Sequence, residues 1–301
     1  MKGSKQNVIT QKQIKEWIPG IIDRFKAAMP DIAVPFPEIH IVTKVTWGKA
    51  RASIVERLQS NQINPGSDAG LETIHGNNGD AILIYQHKLD KHVNDLNDFQ
   101  HFLWHELGHF YTLNNEDPSM IRFLDQKPHP DEYEALRGYC FWEEFVAEKI
   151  ACNMDPEPEI DWATTSHYCT RNMLMHLLLT GVNISEDDRI DWYNLAFFFA
   201  KIISDKTVLS YCNAINNGTL RYRISSEGQS IPFKETGMDP LCLDQIDPSV
   251  HSYINEITNI LIGQLKKDNP CDISLDTLTI LGEMLLGIER HATFKERLGL
   301  T

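Results

Sequence analysis

The residues with the clearest chemical potential in this chain are two histidines and a glutamate in the run His105-Glu106-Leu107-Gly108-His109. On an α-helix, side chains four residues apart lie on the same face, one above the other. Two such imidazoles can bind one metal ion, and the glutamate beside them can reach a water molecule held by that ion. The spacing therefore predicts a catalytic zinc site. The plainer alternative is a pair of ordinary surface or core histidines.

A catalytic zinc ion usually has three protein ligands and one open position, so a third ligand is needed. The metzincin pattern is excluded, because neither its glycine nor its third histidine follows His109. A glutamate from a later helix is the other solution, and Glu144 and Glu148 share one helix face at the i, i+4 spacing. A solvated acidic face is the plain alternative. Glu143 is the nearest competitor for the ligand role, about 100° away round the helix.

These two segments resemble the gluzincin metallopeptidases, most closely the lethal-factor-type catalytic domains. The third-ligand helix of that branch reads E-F-F-A-E, and this chain has Glu144-Phe145-Val146-Ala147-Glu148. The resemblance covers about residues 80–152, and the chain is also loosely similar to the small gluzincins that cleave bacterial repressors. It implies Zn²⁺ bound by His105, His109 and Glu144, with Glu148 supporting a bound histidine from outside.

The resemblance also implies a mechanism, the metal-assisted hydrolysis of a peptide bond. Zinc lowers the pKa of its water toward about 7 and polarises the scissile carbonyl. Glu106 takes the water proton and passes it to the leaving amine. Tyr139 is our candidate for stabilising the oxyanion, with Tyr133 or a residue of the C-terminal half as alternatives. The apolar run 81–85 resembles the edge strand that pairs with an extended substrate in such enzymes.

The apolar pattern places the histidine motif on a helix with a separate core face. That face repeats at three- and four-residue steps and consists of Leu96, Phe99, Leu103, Leu107 and Phe110. The histidines lie roughly 200° round the helix from it and should point elsewhere. Gly108, which costs about 1 kcal/mol relative to Ala, would let another backbone or a substrate approach closely, and Ala147 would keep the second helix slim. His101 lies about 12 Å along the axis from His109, so packing or a polar contact is expected of it.

The remaining elements follow from local patterns. A capping box at Thr10 and Gln13 begins a helix through Phe25, which Pro19-Gly20 should kink or split. Strands are expected at 39–45 and 81–85, a loop at 60–80 and a helix at 131–152, while 49–58 fits a strand or a helix. After a breaker at 154–159 the pattern predicts helices near 173–178, 185–199, 254–261 and 278–288, with an irregular connection at 224–250.

The expected fold class is α+β and zincin-like: a small mixed sheet and an active-site helix, then a mainly helical C-terminal subdomain. We divide the chain into a catalytic subdomain, residues 1–155, and a helical subdomain, residues 156–301. The second should form the other wall of the cleft, with the metal between the two halves.

Composition limits the partners and the location. The chain has 301 residues and a net charge of −14, which would repel nucleic acid and anionic membranes. None of the six cysteines forms a C-x-x-C pair, so reduced thiols are expected. We find neither an apolar stretch of spanning length nor an N-terminal signal core, and this predicts a cytoplasmic protein. The expected partner is a peptide or protein substrate, and the oligomeric state stays open.

Three functions compete at this point. The first is a zinc peptidase, expected to be an endopeptidase and distinguished from the others by its intact general base, Glu106. The second is a metal-stabilised regulatory or binding module on the same scaffold, without peptidase turnover. The third is a helical protein in which the motif occurs by chance. Because a binding module has no need of a general base, Glu106 favours the peptidase.

Overall fold

The computed structural model describes residues 9–29, 32, 34–62, 70–89, 93, 95–125, 132–154, 196, 199–200, 222–224, 230–232 and 248–289. The chain divides into two compact units. The first comprises Met1–Lys127 and Val146–Pro156, and the second comprises Pro128–Phe145 and Glu157–Thr301. Among the described residues, no helix is both long and apolar enough to cross a membrane.

The first unit combines helices with a small sheet. Its helices are α1 (Gln11–Ala28), α2 (Trp47–Leu58), α3 (Gln86–Leu89), α4 (Leu96–Asn115) and α5 (Pro118–Asp125), and its strands are β1 (Glu38–Val42), β2 (Leu71–Gly76) and β3 (Gly79–Tyr85). The strand order is β1-β3-β2, with β1 parallel and β2 antiparallel to β3. The expected α+β class with a small mixed sheet is confirmed.

Strand β2 corrects the prediction of a loop over residues 60–80. Residues 71–76 pair along their whole length with β3, from Leu71 opposite Ile84 to Gly76 opposite Gly79. Two asparagines form the connecting turn, and Gly79 has a φ of 116°, a conformation that glycine adopts without strain. The Asn- and Gly-rich composition therefore marks a tight hairpin turn.

The position of β3 corrects a second expectation. We expected this strand at the edge of the sheet, but it lies in the centre and pairs on both sides. Its main-chain groups are therefore occupied along both edges and cannot pair with an extended substrate. Residues 81–85 are buried on both faces of the sheet, which explains the continuous apolar run of β3.

A buried polar contact ties β2 to its neighbours. The Arg51 guanidinium of α2 lies 2.8 Å from a carboxylate oxygen of Glu72 on β2. The Tyr85 hydroxyl at the end of β3 donates a hydrogen bond to the same carboxylate. Burial, together with this nearby carboxylate, raises the pKa of Tyr85 above its ordinary value, so the phenol stays protonated and remains the donor. The contact ties β2 to helix α2 and to the end of β3.

The other predicted elements of the first unit follow the sequence patterns, with differences at α1 and β1. The capping box at Thr10 and Gln13 is formed, and α1 continues through Pro19 as one unsplit helix. The undecided residues 49–58 belong to helix α2. Strand β1 ends at Val42, earlier than expected, and Val45 in the following turn is 90% exposed. Four of the five residues assigned to the core face of α4 are fully buried, whereas Leu96 is 36% exposed.

Helix α6 (Tyr133–Met154) continues through the boundary between the units, which falls between Phe145 and Val146. It matches the helix predicted over 131–152. Its apolar contacts Trp142, Phe145, Val146 and Ile150 are buried as expected.

The second unit has helices at its described C-terminal end, α7 (Pro248–Leu265) and α8 (Leu275–Glu289), as predicted. Helices α6 and α8 approach closely, since a Cβ on Gly138 would meet the Leu278 carbonyl and one on Gly282 would meet that of Glu134. Strands β4 (Tyr222–Ile224) and β5 (Ser230–Pro232) pair antiparallel, so part of the expected irregular connection at 224–250 is a strand. The helix predicted at 173–178, the start of the one at 185–199, and Cys169, Cys212 and Cys242 lie outside the described residues.

Candidate metal site

Helices α4 and α6 approach backbone to backbone at Gly108. A Cβ atom added there would lie 2.7 Å from the Cα atom and 2.8 Å from the carbonyl oxygen of Ala147. Real Cβ atoms do not come this close to a backbone, so only glycine permits the approach. The sequence-based expectation that Gly108 and Ala147 form a close helix crossing is confirmed.

This crossing places the histidines of α4 against the acidic residues of α6. The Nδ1 atom of His105 lies 3.1 Å from one oxygen of Glu148, and the Nε2 atom of His101 lies 3.0 Å from the other. A carboxylate only accepts hydrogen bonds, so the facing ring nitrogens carry the protons. The Nε2 atom of His105 is then the nitrogen that could bind a metal ion, and it lies 3.0 Å from the Nε2 atom of His109.

Three residues come together one helical turn from Glu148. His105, His109 and Glu144 each offer one ligand atom, and these atoms all lie within 4.8 Å of one another. The two Nε2 atoms lie 3.0 Å apart, with the imidazole planes at 86° to each other. Both histidines are buried, at 7% and 8% exposure. The structure therefore brings together the three residues predicted as ligands, in a group that could hold a metal ion.

The electrostatics of Glu148 suit a residue that orients a ligand. Its burial alone would raise the pKa of the carboxyl, but the hydrogen bonds and the electrostatic attraction of His101 and His105 hold that pKa well below its ordinary value. The group therefore stays ionised and keeps accepting from the His105 Nδ1 atom. A carboxylate on the outer nitrogen of a metal-bound imidazole fixes the tautomer and the ring orientation.

Glu106 lies on α4 between the two histidines and is held by strand β2, which the sequence patterns did not predict. The Thr73 hydroxyl of β2 lies 2.7 Å from a carboxylate oxygen of Glu106 and 2.9 Å from its main-chain oxygen. Thr73 is therefore a functional candidate absent from the residues predicted from the sequence. The signal was present in Leu71-Glu72-Thr73-Ile74, a short run with β-branched residues before an Asn-Asn turn, but it was assigned to a loop.

The two tyrosines considered for the oxyanion differ in exposure. Tyr139 is fully buried on α6, five residues before Glu144, and this places it about 140° away round the helix. Tyr133, at the first turn of α6, is 51% exposed. Glu143 is half-buried beside Glu144. The oxyanion role of Tyr139 stays a prediction. His101 makes the polar contact expected of it, with Glu148.

No family model, no curated protein and no solved structure matches this chain. The assignment of the site therefore depends on its own residues and geometry.

Replacing Glu148 with alanine should weaken metal binding at the His105–His109–Glu144 site by roughly 10–100-fold, the usual effect of removing a carboxylate behind a metal-bound histidine. The measurement is equilibrium dialysis against a competing chelator. The matched control is Glu143→Ala, which removes a neighbouring carboxylate of the same helix and should leave the affinity unchanged. If Glu148→Ala abolishes binding while Glu144→Ala preserves it, the ligand and its support are reversed.

Replacing Gly108 with alanine should lower the free energy of unfolding by roughly 1–3 kcal/mol, because the new methyl group forces two backbones apart. This loss outweighs the gain of about 1 kcal/mol in helix propensity. Denaturant unfolding measures the change. The control is Gly20→Ala in α1, where an added Cβ meets nothing within 4 Å and the propensity gain should appear undiminished. Stabilisation by both substitutions would show that the space between α4 and α6 at position 108 accommodates a Cβ atom.

Proposed function

We propose that this chain is a zinc-dependent peptidase of the gluzincin type. It acts as an endopeptidase on extended peptide segments, and its site lies in residues 1–155. The observation that carries the proposal is the cluster of His105, His109 and Glu144, with Glu106 between the two histidines on the same helix. A structural site needs only the ligands. A glutamate at this position in a helix adds a general base to them.

The residues present fit zinc. Two imidazoles and one carboxylate form a nitrogen and oxygen ligand set that zinc accepts in catalytic sites. Two nitrogens at about 2.0–2.1 Å from one tetrahedral zinc ion lie roughly 3.3 Å apart. The Nε2 atoms of His105 and His109 are 3.0 Å apart, so a small movement accommodates the ion. The protonated Nδ1 of His105 already has its carboxylate partner in Glu148.

A bound zinc ion would supply Lewis-acid chemistry, polarising a substrate carbonyl and lowering the pKa of a coordinated water. The chain supplies the proton transfers. Glu106 accepts the proton of the attacking water and delivers it to the amine that leaves. The hydrogen bond from Thr73 limits the rotation of the Glu106 carboxylate and sets its direction. Glu148 holds His105 in the tautomer whose Nε2 atom would bind the ion.

Strand β2 is the better candidate for pairing with a peptide substrate, since it ends the three-stranded sheet and also holds Glu106. On the outer edge of β2, the main-chain groups of Thr73 and His75 are both hydrogen-bonded to one side chain. The Gln62 amide nitrogen donates to the Thr73 carbonyl at 3.0 Å, and the Gln62 oxygen accepts from the His75 amide at 3.2 Å. One amide side chain thus makes the pair of hydrogen bonds that an extended peptide would make. The proposed substrate replaces Gln62 at this edge.

The test of the proposal is metal-dependent hydrolysis. Purified protein should cleave an unfolded protein mixture, with cut sites read by mass spectrometry of new termini. A chelator should stop the cleavage, and stoichiometric zinc should restore it, because the ion is needed for the reaction. Full metal binding without cleavage of any substrate in the mixture would favour the metal-stabilised binding module over the peptidase.

A further inference from the structure

We propose that His101, Glu148 and Cys152 form a second metal site, for a divalent ion of borderline softness such as zinc or cobalt. The three residues each offer one ligand atom, and these atoms lie within 4.8 Å of one another. All three belong to the first unit, His101 on α4 and the other two on α6. The proposal does not depend on peptidase activity.

The helix geometry produces this second cluster by repetition. Glu144, Glu148 and Cys152 follow one another at four-residue steps on α6, and His109, His105 and His101 do the same in the opposite direction on α4. Two antiparallel helices with such stripes bring successive pairs together at each turn. The first turn of contact holds the predicted catalytic ligands. The last holds His101 and Cys152, about 12 Å from His109 along the axis by the rise of eight residues.

The contacts within the second cluster converge on one oxygen of Glu148. The Nε2 atom of His101 lies 3.0 Å from it, and the Cys152 thiol donates to it across 3.8 Å. Glu148 is nearly inaccessible, at 4% side-chain exposure, whereas His101 is 23% exposed and Cys152 is half-buried. The carboxylate thus lies at the buried end of the cluster. His101 and Cys152 lie at the solvent-exposed end, where an ion and a water ligand can enter.

The ligand chemistry differs from that of the first cluster by its sulfur atom. Imidazole, carboxylate and thiolate together suit zinc, and a metal-bound cysteine is a thiolate. As the sulfur–metal bond forms, the Sγ proton passes to solvent. The proton on the Nε2 atom of His101 moves to its Nδ1 atom by exchange with solvent, so that Nε2 can bind the ion. One carboxylate and one thiolate then balance the two positive charges of the ion. Without an ion, a thiol is a weak hydrogen-bond donor for so buried a carboxylate.

The shared residue couples the two clusters. One oxygen of Glu148 faces His101 and Cys152, and the other accepts from the Nδ1 atom of His105. An ion on the first of these oxygens withdraws charge from the carboxylate and weakens its hold on His105. We therefore expect the second ion to lower the affinity of the first site, by less than the 10–100-fold expected for complete loss of this carboxylate.

The test is titration of the metal-free protein with cobalt(II), whose thiolate complexes show a sulfur-to-metal charge-transfer band in the near ultraviolet. The first cluster has only nitrogen and oxygen ligands, so the band reports the second site alone. We expect the wild-type band to disappear in Cys152→Ser and to persist in Cys140→Ser, which changes the other described cysteine of α6. In His101→Ala, the cobalt concentration at half-saturation should rise by roughly 100-fold, because one of three protein ligands is lost.

Two further measurements separate this proposal from folding effects and from the proposed function. In the wild-type protein, saturating zinc should slow alkylation of Cys152 but not of Cys140, as read by peptide mass spectrometry. In His109→Ala, which removes a ligand of the first cluster, the cobalt–thiolate band should remain. Absence of the band in wild type, its persistence in Cys152→Ser, or equal alkylation of Cys152 with and without zinc would overturn the second site. Loss of peptidase activity alone would leave it standing.

Discussion

Replacing Glu106 with glutamine is expected to lower kcat for peptide hydrolysis by about 10²–10⁴-fold, the usual contribution of a general base. The metal content should stay at the wild-type value, because Glu106 is not among the three clustered ligands. Glutamine has nearly the same shape and can still accept a hydrogen bond from Thr73, so the helix and the strand keep their contact. The measurement pairs steady-state kinetics with elemental analysis of the same samples.

Substitutions at Thr73 test how much the orientation of the Glu106 carboxylate contributes to catalysis, separately from its role as the base. Thr73→Val removes the hydroxyl that lies 2.7 Å from the Glu106 carboxylate while keeping the branched shape that suits strand β2. We expect a smaller fall in kcat than for Glu106→Gln, with little change in KM, and recovery in Thr73→Ser. If Glu106→Gln hydrolyses peptides at the wild-type rate, Glu106 is not the base and the proposed mechanism is wrong.

The two helices of the site could be predicted because their patterns are long and regular. Helix α4 repeats its apolar residues over several turns, and α6 does the same around Phe145 and Ile150. Gly108 gave a further indication, since a glycine inside a helix is unfavourable unless another backbone needs the space. From these features the sequence predicts which residues can meet across the crossing, including Glu144 and Glu148.

The sheet was harder to predict because its order depends on long-range pairing. The sequence shows that 81–85 is a strand but does not show whether it lies at an edge, since a short apolar run fits either position. Strand β2 was not predicted because its six residues are bounded by polar turns and include a charged residue, Glu72. The ion-pair partner of Glu72, Arg51, is distant in sequence. Thr73 was missed with it. Its role depends on a contact between a strand and a helix 33 residues apart, which no local pattern records.

The second cluster illustrates a similar limit. The stripe of His101, His105 and His109 is visible in the sequence, and the distance along the helix excludes His101 from the ion of His109. That exclusion agrees with the structure, in which His101 contacts Glu148. The direction of α6 relative to α4 decides that Cys152, rather than another residue, lies beside His101. This neighbour follows only from the antiparallel packing of the two stripes, which no pattern within either helix specifies.

Replacing His109 with alanine is expected to weaken zinc binding at the first site by about 10²–10³-fold. Zinc sites with four ligands release roughly 10–16 kcal/mol on binding, or about 3–4 kcal/mol for each ligand. Each 1.4 kcal/mol corresponds to a tenfold change in affinity. The measurement is competition with a chromophoric chelator in the Cys152→Ser background, so that only the first site binds. His109→Gln, which preserves most of the side-chain volume, separates loss of the ligand from loss of packing.

A thermal measurement checks the same prediction independently. An ion that binds only the folded protein stabilises it by about 2.7 kcal/mol at a free concentration 100 times the dissociation constant. Zinc should therefore raise the Tm of the parent protein, which is the Cys152→Ser variant. The same zinc concentration should raise the Tm much less when His109→Ala is added to that variant. The control is His40→Ala, which removes a partly exposed histidine of β1 outside the cluster and should retain the full shift. An equal zinc-induced shift in parent and His109→Ala would mean that the ion binds elsewhere, and the ligand assignment would fail even if the peptidase activity were real.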